Sequence, residues 1–275
     1  MAASKRVLVL GGHGKIALLL QPKLLAKNWN VTSVVRNLDH EAEIKALGNN
    51  QPGKIDVLVE SLDDVQDAKT AQKVLDKVKP DIVIWSAGAG GKGGPSRTKA
   101  VDEVAAKAYI SASLATPSIQ KFLLVSYIAS RKGYPPWWNN EDKKAADHVN
   151  TEVLPHYFKA KVEADEHLEA LTQKRLESGD KSFQAINLRP GTLTDDPASE
   201  RVSLGKTSSR GNVSRETVAN VALALLLRDD TRGWFDLLDG SSSDPTVDEA
   251  VEELVKSGHN GLEGEDLKRI HARST

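Results

Sequence analysis

The stretch from Val7 to Ala17, VLVLGGHGKIA, decides the fold of this chain. Its apolar residues predict a buried strand, and the glycines that follow at once predict a tight turn into a helix. Gly11 permits the turn, Gly14 lets the backbone approach a pyrophosphate, and Ala17 lets the helix pack closely on the strand. The free N–H groups at the start of that helix can bind the pyrophosphate. The stretch therefore predicts the first βα unit of a dinucleotide-binding sheet, and the loop residues expected to contact the cofactor are Gly11, Gly12, His13, Gly14, Lys15 and Ile16.

Short apolar runs alternate with longer helix-like segments along the rest of the chain, which is typical of a parallel sheet covered by helices on both faces. The predicted strands are Arg6–Leu10, Val31–Val35, Ile55–Val59, Ile82–Trp85, Phe122–Val125, Phe183–Leu188 and Trp234–Leu238. The predicted helices are Ala17–Lys27, Val65–Val78, Ala100–Ala112, Tyr157–Glu177 and Arg215–Leu227. We therefore expect an α/β fold, a doubly wound parallel sheet of the Rossmann type with a small C-terminal region that covers the substrate.

Three segments interrupt this alternation, at residues 87–97, 132–154 and 192–213. Long loops after strand ends are usually functional. We expect one domain over residues 1–256, with substrate loops at 131–156 and 192–213. The remaining residues, 257–275, are polar and predict a surface helix or a frayed tail.

The composition excludes several classes of protein. The chain of 275 residues has no cysteine, which rules out disulfides and thiolate metal sites. Its net charge of −1 gives no reason to expect nucleic acid or a membrane as a partner. No apolar run is long enough for a transmembrane helix, and the N-terminal run is too short for a signal peptide. We expect a cytoplasmic protein with a small-molecule substrate, and the sequence leaves a homodimer open. The histidines show no spacing that would indicate a metal site.

Arg36 ends the second strand, about twenty residues beyond the glycines, where the fold meets the adenosine ribose. An acidic residue here would bind the ribose hydroxyls, whereas the guanidinium of an arginine matches a phosphate. Lys15 could add a second positive charge. The sequence thus favours NADP(H) over NAD(H), although Asp39 and Glu41 lie nearby and keep NAD(H) open.

Two further strand ends offer cofactor contacts. Asp63 follows the third strand, where a carboxylate could meet the adenine amino group or could cap a helix. Ala87 and Gly88 follow the fourth strand, and small residues there let a cofactor lie across the edge of the sheet.

These residues, together with later motifs, resemble the short-chain dehydrogenase/reductase superfamily, in its extended and atypical branch of epimerase-like and NmrA-like proteins. The resemblance covers about residues 5–240. Its motifs are GGHGKIA at 11–17, the pair Ala87-Gly88, Ser126 after FLLV, Tyr157-Phe-Lys-Ala-Lys161, and Arg189-Pro-Gly191.

The resemblance implies a catalytic triad of Ser126, Tyr157 and Lys161. Lys161 would hold the ribose hydroxyls of the cofactor and lower the pKa of the tyrosine. Tyr157 would exchange a proton with the substrate as hydride moves to or from the nicotinamide, and Ser126 would bind the substrate oxygen. The turn of Pro190, Gly191 and Thr192 would pass beneath the nicotinamide.

The chain departs from the family pattern between Ser126 and Tyr157, where the interval is longer than in the compact branch. Either the added segment covers the substrate, or the serine of the triad is another residue, with Ser130 as a substitute. Trp137 and Trp138 in this segment could wall a substrate pocket or pin the loop to the core.

Three functions fit this pattern. The leading hypothesis is an NADP(H)-dependent oxidoreductase acting on a carbonyl or an alcohol. The alternatives are an epimerase or dehydratase on the same fold and an NmrA-like redox sensor that binds dinucleotide without catalysis. The intact pair of Tyr157 and Lys161 favours an enzyme.

Overall fold

The structure, a computed structural model, describes residues 4–89 and 93–274, so that residues 90–92 of the glycine-rich loop lie outside it. Ten strands occur in this part of the chain: β1 Arg6–Leu10, β2 Asn30–Val35, β3 Ile55–Val59, β4 Ile82–Trp85, β5 Lys121–Val125, β6 Gln184–Pro190, β7 Thr192–Thr194, β8 Val202–Gly205, β9 Asn212–Ser214 and β10 Gly233–Asp239. The helices are α1 Lys15–Ala26, α2 Glu41–Ala46, α3 Ala68–Val78, α4 Gly94–Thr98, α5 Ala106–Ala115, α6 Asn140–His148, α7 Pro155–Glu177, α8 Arg215–Leu227, α9 Val247–Ser257 and α10 Leu267–His271.

Eight strands form one sheet in the order β3-β2-β1-β4-β5-β6-β10-β8, and β7 pairs with β9 separately. All neighbours in the large sheet are parallel except β8, which runs antiparallel to β10. The strand order reverses at β1, between β2 and β4. Ligands of such sheets bind beyond the carboxyl ends of the strands at this point of reversal. The predicted Rossmann fold is confirmed.

Continuous apolar strands explain why both faces of the sheet are covered. The side chains of β1 alternate between two cores: Val7 and Val9 face the side of α1 and α8, while Leu8 and Leu10 face the side of α3, α5 and α7. All four are fully buried. Strands that are buried on both faces need apolar residues at most positions, and the near-continuous apolar runs of the sequence have this cause.

The two expected substrate loops contain helices and strands that we did not predict from the sequence. Residues 132–154 include α6 and a π-helical turn, Val149–Val153, which leads into α7. Residues 192–213 contain three short strands, of which β8 extends the large sheet. The predicted helix Ala100–Ala112 is also altered, because a π-helical turn, Lys99–Ala105, joins α4 to α5.

The C-terminal segment packs against the domain and is not a frayed tail in its described part. Leu262 and Ile270 are buried. The carboxylate of Glu166, on α7, has no exposed surface and accepts two hydrogen bonds from Arg269, at 2.7 and 2.8 Å. The polar side chains of this segment form ion pairs with the domain as well as contacts with solvent. Among the described residues, no helix is both long enough and apolar enough to cross a membrane.

Candidate functional site

The glycine loop lies against the end of β4. Gly11 has a φ of +83°, and a Cβ atom at this position would lie 2.5 Å from Cα of Ala87. Gly12 packs onto β2, since its N–H donates to the carbonyl of Val34 at 2.8 Å and its missing Cβ leaves room for Ser33. Gly14 is the residue before α1 and has no side-chain cap. The free N–H groups at the start of α1 therefore face the carboxyl edge of the sheet, as an anion site requires.

A cavity of about 230 Å³ extends from this loop along the ends of β2, β3 and β4. The predicted cofactor residues that line it are Gly11, His13, Gly14, Arg36, Asp63, Ala87 and Gly88. The lining residues that the sequence analysis did not identify include His40, Glu60 and Arg97. We call this space the nucleotide cavity. The nucleotide cavity lies where the strand order of the sheet reverses. A Cβ atom on Gly11 would change the shape of its lining.

Asp63 lies between two arginines at one end of the nucleotide cavity. Its carboxylate is 2.9 Å from Nε of Arg97 and 3.5 Å from Nη1 of Arg36. It is neither a helix cap nor a free acceptor for an adenine amino group in this structure. The expected adenine contact would need the carboxylate to give up part of these ion pairs.

Contrary to expectation, Lys15 does not place a second positive charge beside Arg36. Its ammonium lies 2.5 Å from the carboxylate of Asp195, which also binds Arg215 at 2.6 Å. This ion cluster follows β7 and lies at a separate depression on the protein surface. Lys15 is exposed, so that a bound anion could draw it back, but nothing holds it beside Arg36.

His13 and His40 stack on one another in the nucleotide cavity, with ring centroids 3.5 Å apart. Nε2 of His13 also lies 2.7 Å from the carboxylate of Glu43. These three side chains bring ligand-type atoms within 4.8 Å of one another, a grouping that sequence spacing did not show. The two ring faces are turned toward each other, which is suited to stacking. The absence of a metal site stays a prediction.

A second cavity, of about 300 Å³, adjoins the first and shares Ser86, Ala87 and Gly88 with it. Ser126 and Tyr157 line this cavity, as the family resemblance implies. Its apolar walls include Ile16, Leu154 and Leu193. Each of the two expected substrate loops thus supplies one leucine. We call this space the Tyr157 cavity.

The environment of Tyr157 raises the pKa of its phenol, whereas the family resemblance implied that Lys161 would lower this pKa. The ring is half-buried and packs against Tyr127 with centroids 5.1 Å apart. Burial and then the negative charge of Asp102 raise the pKa of Tyr157 well above its ordinary value. The raised pKa makes the phenol a weaker acid than a free tyrosine, so it is protonated near neutral pH and gives up its proton only to a strongly basic atom.

Lys161 lies behind the wall of the Tyr157 cavity and not in it. The side chain is 1% exposed, and its ammonium donates to the backbone carbonyl of Val125 at 2.9 Å. A buried ammonium needs such a partner because desolvation is costly. Direct contact with the ribose of a cofactor would require Lys161 to leave this carbonyl.

Asp102 is a buried acid that interacts electrostatically with Lys161, and we did not predict it from the sequence. It lies in the π-helical turn Lys99–Ala105, and one carboxylate oxygen accepts from the N–H of Ala89 at 3.0 Å. Burial raises the pKa of Asp102, and the positive charge of Lys161 opposes part of that rise. An acidic residue inside an apolar helical segment was the signal available in the sequence.

Ser126 makes a short hydrogen bond away from the substrate side. Its hydroxyl donates to the carboxylate of Asp165 at 2.6 Å, and Asp165 has no exposed surface. Ser130, the expected substitute, is fully buried and its hydroxyl has no hydrogen-bond partner among the described residues. The structure thus brings Ser126 and Tyr157 together and leaves Ser130 outside the cavity lining.

Buried ion pairs fix the chain just after Ser126. The carboxylate of Asp236 accepts from Arg131 and from Arg189, both at 2.8 Å. Arg189 also donates to the backbone carbonyls of Ile128 and Ser130. Because all three charged groups are buried, the segment from 128 to 131 has little freedom to move.

Trp137 and Trp138 hold the two long loops together. Both indole N–H groups donate to one carbonyl, that of Thr207, at 3.1 and 3.0 Å. Trp138 is buried against Ile128 and Leu238. Neither ring lines the Tyr157 cavity in the described structure. Of the two interpretations left open by the sequence, the contacts support the one in which the tryptophans pin the loop.

The turn at 190–192 is built by contacts within the protein. A Cβ atom on Gly191 would lie 2.4 Å from Leu238, which explains the glycine by close packing. Pro190 is buried at the end of β6, and the N–H of Thr192 donates to the carbonyl of Gly211 at 2.9 Å. Leu193, one residue further, is the first to reach the Tyr157 cavity.

Two known proteins match most of this chain in sequence. The UPF0659 protein of Schizosaccharomyces pombe is 30% identical over 256 residues, which cover 92% of this chain and 96% of that protein. A Bacillus subtilis protein named as a sugar epimerase is 29% identical and covers 90% of this chain and 100% of its own.

Solved structures share the fold. An NAD-dependent epimerase/dehydratase structure from Bacillus halodurans has a TM-score of 0.69 at 24% identity and covers 91% of this chain and 100% of its own. The anaerobilin reductase of Escherichia coli O157:H7 has a TM-score of 0.61 at 18% identity, and covers 87% of this chain and 100% of its own. Residues 11–229 match the family described as NAD(P)H-binding, which fits the extended branch that the motifs resemble. The chain belongs to the NAD(P)H-binding family.

Proposed function

We propose that this protein is an NADP(H)-dependent oxidoreductase that acts on a carbonyl or alcohol group of a small molecule. The observation that carries the proposal is the junction of the two cavities. Both are lined by Ser86, Ala87 and Gly88, so that one ligand can extend from Arg36 past the glycine loop to Tyr157. An extended dinucleotide has this form, and its nicotinamide supplies or accepts the hydride.

The residues around the nucleotide cavity suit a dinucleotide. The N–H groups at the start of α1 would hold the pyrophosphate, with Gly11 and Gly14 allowing close approach. Arg36 would bind the phosphate on the adenosine ribose, which supports NADP(H) over NAD(H). Ala87 and Gly88 leave room for the chain of the cofactor as it crosses the edge of the sheet.

Tyr157 is the proton donor in this proposal. The phenol is protonated near neutral pH, and in the reducing direction it gives its proton to the strongly basic oxygen that develops as the carbonyl carbon gains hydride. The phenol then regains a proton from solvent. Leu154 and Leu193 provide apolar surface beside the reacting atoms.

A second candidate is an epimerase acting on a hydroxyl-bearing compound such as a sugar. Ser126 favours it, because the proton of its hydroxyl is engaged by Asp165 and only acceptor lone pairs remain for a ligand. Such a serine accepts a hydrogen bond from a substrate hydroxyl. The name of the Bacillus subtilis relative is in accord with this candidate.

The experiment is a turnover assay with a panel of ketones, aldehydes, the corresponding alcohols and sugars, each with NADPH or NADH, followed by the absorbance of the reduced cofactor and by chromatography of the products. The oxidoreductase predicts net consumption or formation of reduced cofactor. An epimerase predicts product without net change in cofactor. Tight cofactor binding without either reaction over the panel would support the redox sensor and contradict both enzymes.

A further inference from the structure

Two arginines from different elements meet at one carboxylate in the nucleotide cavity. Arg36 follows the end of β2 and Arg97 lies in α4, and both contact Asp63. The helix α3 and the strand β4 separate Asp63 from α4 in the sequence, so the grouping exists only in the folded chain. Two guanidinium groups that converge on a carboxylate can also converge on a phosphate, because each of these anions offers at least two oxygens that a guanidinium can bind in bidentate fashion.

The two contacts differ in strength. Arg97 is about three-quarters buried and its Nε lies 2.9 Å from the carboxylate, a short charge-assisted hydrogen bond. Arg36 is 60% exposed and its contact, at 3.5 Å, is at the long limit for a hydrogen bond. Asp63 therefore binds Arg97 firmly and Arg36 loosely, which leaves Arg36 able to turn toward an incoming anion.

The charges around the nucleotide cavity show what Asp63 does to such an anion. Among the described lining residues, Arg36 and Arg97 are opposed by the carboxylates of Asp63 and Glu60. Without protonation of His13 or His40, the lining has no net positive charge. A phosphate monoester near neutral pH carries close to two negative charges. It must therefore displace Asp63 from the arginines, and it meets the repulsion of that carboxylate as it does so.

We propose that Arg36 and Arg97 together form the binding pair for the phosphate on the adenosine ribose, and that Asp63 is a built-in competitor that limits the preference for NADP(H) over NAD(H). The inference deepens the proposed function and rests on its use of this cavity for the nucleotide. We expect the effect of Asp63 at the phosphate on the adenosine ribose, because this is the group that would replace its carboxylate between the two arginines.

Calorimetry with two fragments tests this without knowledge of the substrate. The fragments are 2′,5′-ADP, which carries one of its two phosphates on the 2′ oxygen of the ribose, and ADP, which carries both on the 5′ oxygen. Asp63→Asn keeps the shape of the side chain and removes its charge. We expect 2′,5′-ADP to bind about tenfold more tightly to this variant than to the wild type, with ADP unchanged, because the charge-assisted competition is lost. Arg97→Met should weaken 2′,5′-ADP by about tenfold and leave ADP unchanged.

Asp64→Asn is the matched control, since it removes the same charge from the adjacent residue, which is exposed and outside the cavity lining. Affinity for 2′,5′-ADP that is equal in the Asp63→Asn and Asp64→Asn variants would overturn the inference. A parallel loss of ADP and 2′,5′-ADP in Asp63→Asn would also overturn it and would identify Asp63 as an adenine acceptor. Wild-type protein that binds neither fragment would overturn both the inference and the proposed cofactor.

The inference and the proposed function can fail separately. Turnover with NADPH combined with no shift in Asp63→Asn contradicts the inference alone. The expected shift combined with no turnover on the panel supports the inference and contradicts the oxidoreductase.

Discussion

The hydroxyl of Ser126 donates a 2.6 Å hydrogen bond to the fully buried carboxylate of Asp165. Arg189 lies 3.9 Å from the same carboxylate and supplies a buried counter-charge. Tyr157, Lys161 and Asp165 follow one another at intervals of four on α7, and so they share one helix face. That face holds the end of β5 at two points, through Val125 and Ser126, and presents Tyr157 to the cavity.

Asp165→Asn should therefore disturb both stability and catalysis. The variant keeps the shape of the side chain but weakens the bond to Ser126 and removes a counter-charge of Arg189. We expect a loss of about 1–3 kcal/mol in the free energy of unfolding, measured by urea denaturation, because the groups are buried. The serine would also be free to reorient, which should change the KM of the substrate more than the affinity for NADPH. Asp64→Asn, on the surface, should behave as wild type. Wild-type stability and KM in Asp165→Asn would show that the bond does not position Ser126.

Trp138→Phe should destabilise the protein without affecting the cofactor. The variant loses the hydrogen bond to Thr207 and leaves space beside Ile128 and Leu238. A loss of roughly 1–3 kcal/mol in the free energy of unfolding is expected from these terms together. Trp137→Phe removes a hydrogen bond to the same carbonyl from a half-buried ring and should cost less. Strongly weakened NADPH or substrate binding in either variant, at unchanged stability, would instead place these rings at the ligand.

His167 should make the folded protein sensitive to mild acid. Burial, followed by the positive charges of Lys107 and Arg273, lowers its pKa from 6.5 to about 4. Between these pH values the imidazole binds a proton in the unfolded chain but not in the folded chain. The free energy of unfolding therefore falls as pH falls from about 6.5 to 4. At ~1.4 kcal/mol for each pKa unit, the total from this residue is about 3 kcal/mol.

Urea denaturation at several pH values measures this slope. His167→Gln can still hydrogen-bond Ser111, whose hydroxyl lies 2.7 Å from Nε2 in the wild type, but it cannot titrate. We expect a shallower fall in stability with acid for this variant and an unchanged fall for His148→Gln, which alters an exposed histidine of α6. Identical slopes in His167→Gln and wild type would contradict the assignment.

The strands and the glycine loop could be predicted from the sequence because each has a local cause. Buried strands require continuous apolar runs, and the turn at Gly11 requires a residue with positive φ. The helix α6 had a local signal as well, since Asn139 and Asp142 form a capping box at its start. The strands β7 and β9 had none, because three residues with mixed burial carry no periodic pattern.

The candidate site was predictable where one element carries the residues and not where several converge. Tyr157 and Lys161 share a helix, so their spacing was visible, but the carbonyl that captures Lys161 belongs to β5. Arg97, Asp102 and Asp165 acquire their roles only through partners far away along the chain. The π-helical turn that carries Asp102 has no signature in a helix-like pattern.

The role of Tyr157 as the proton donor is tested most directly by the turnover number of Tyr157→Phe with NADPH and the best substrate of the panel. The variant keeps the ring that packs on Tyr127 and removes the hydroxyl alone. If Tyr157 is the proton donor, we expect unchanged NADPH affinity by calorimetry and a fall in kcat of ~10²–10⁴, as for the loss of a general acid. A variant that turns over at the wild-type rate would contradict the role of Tyr157 as the proton donor.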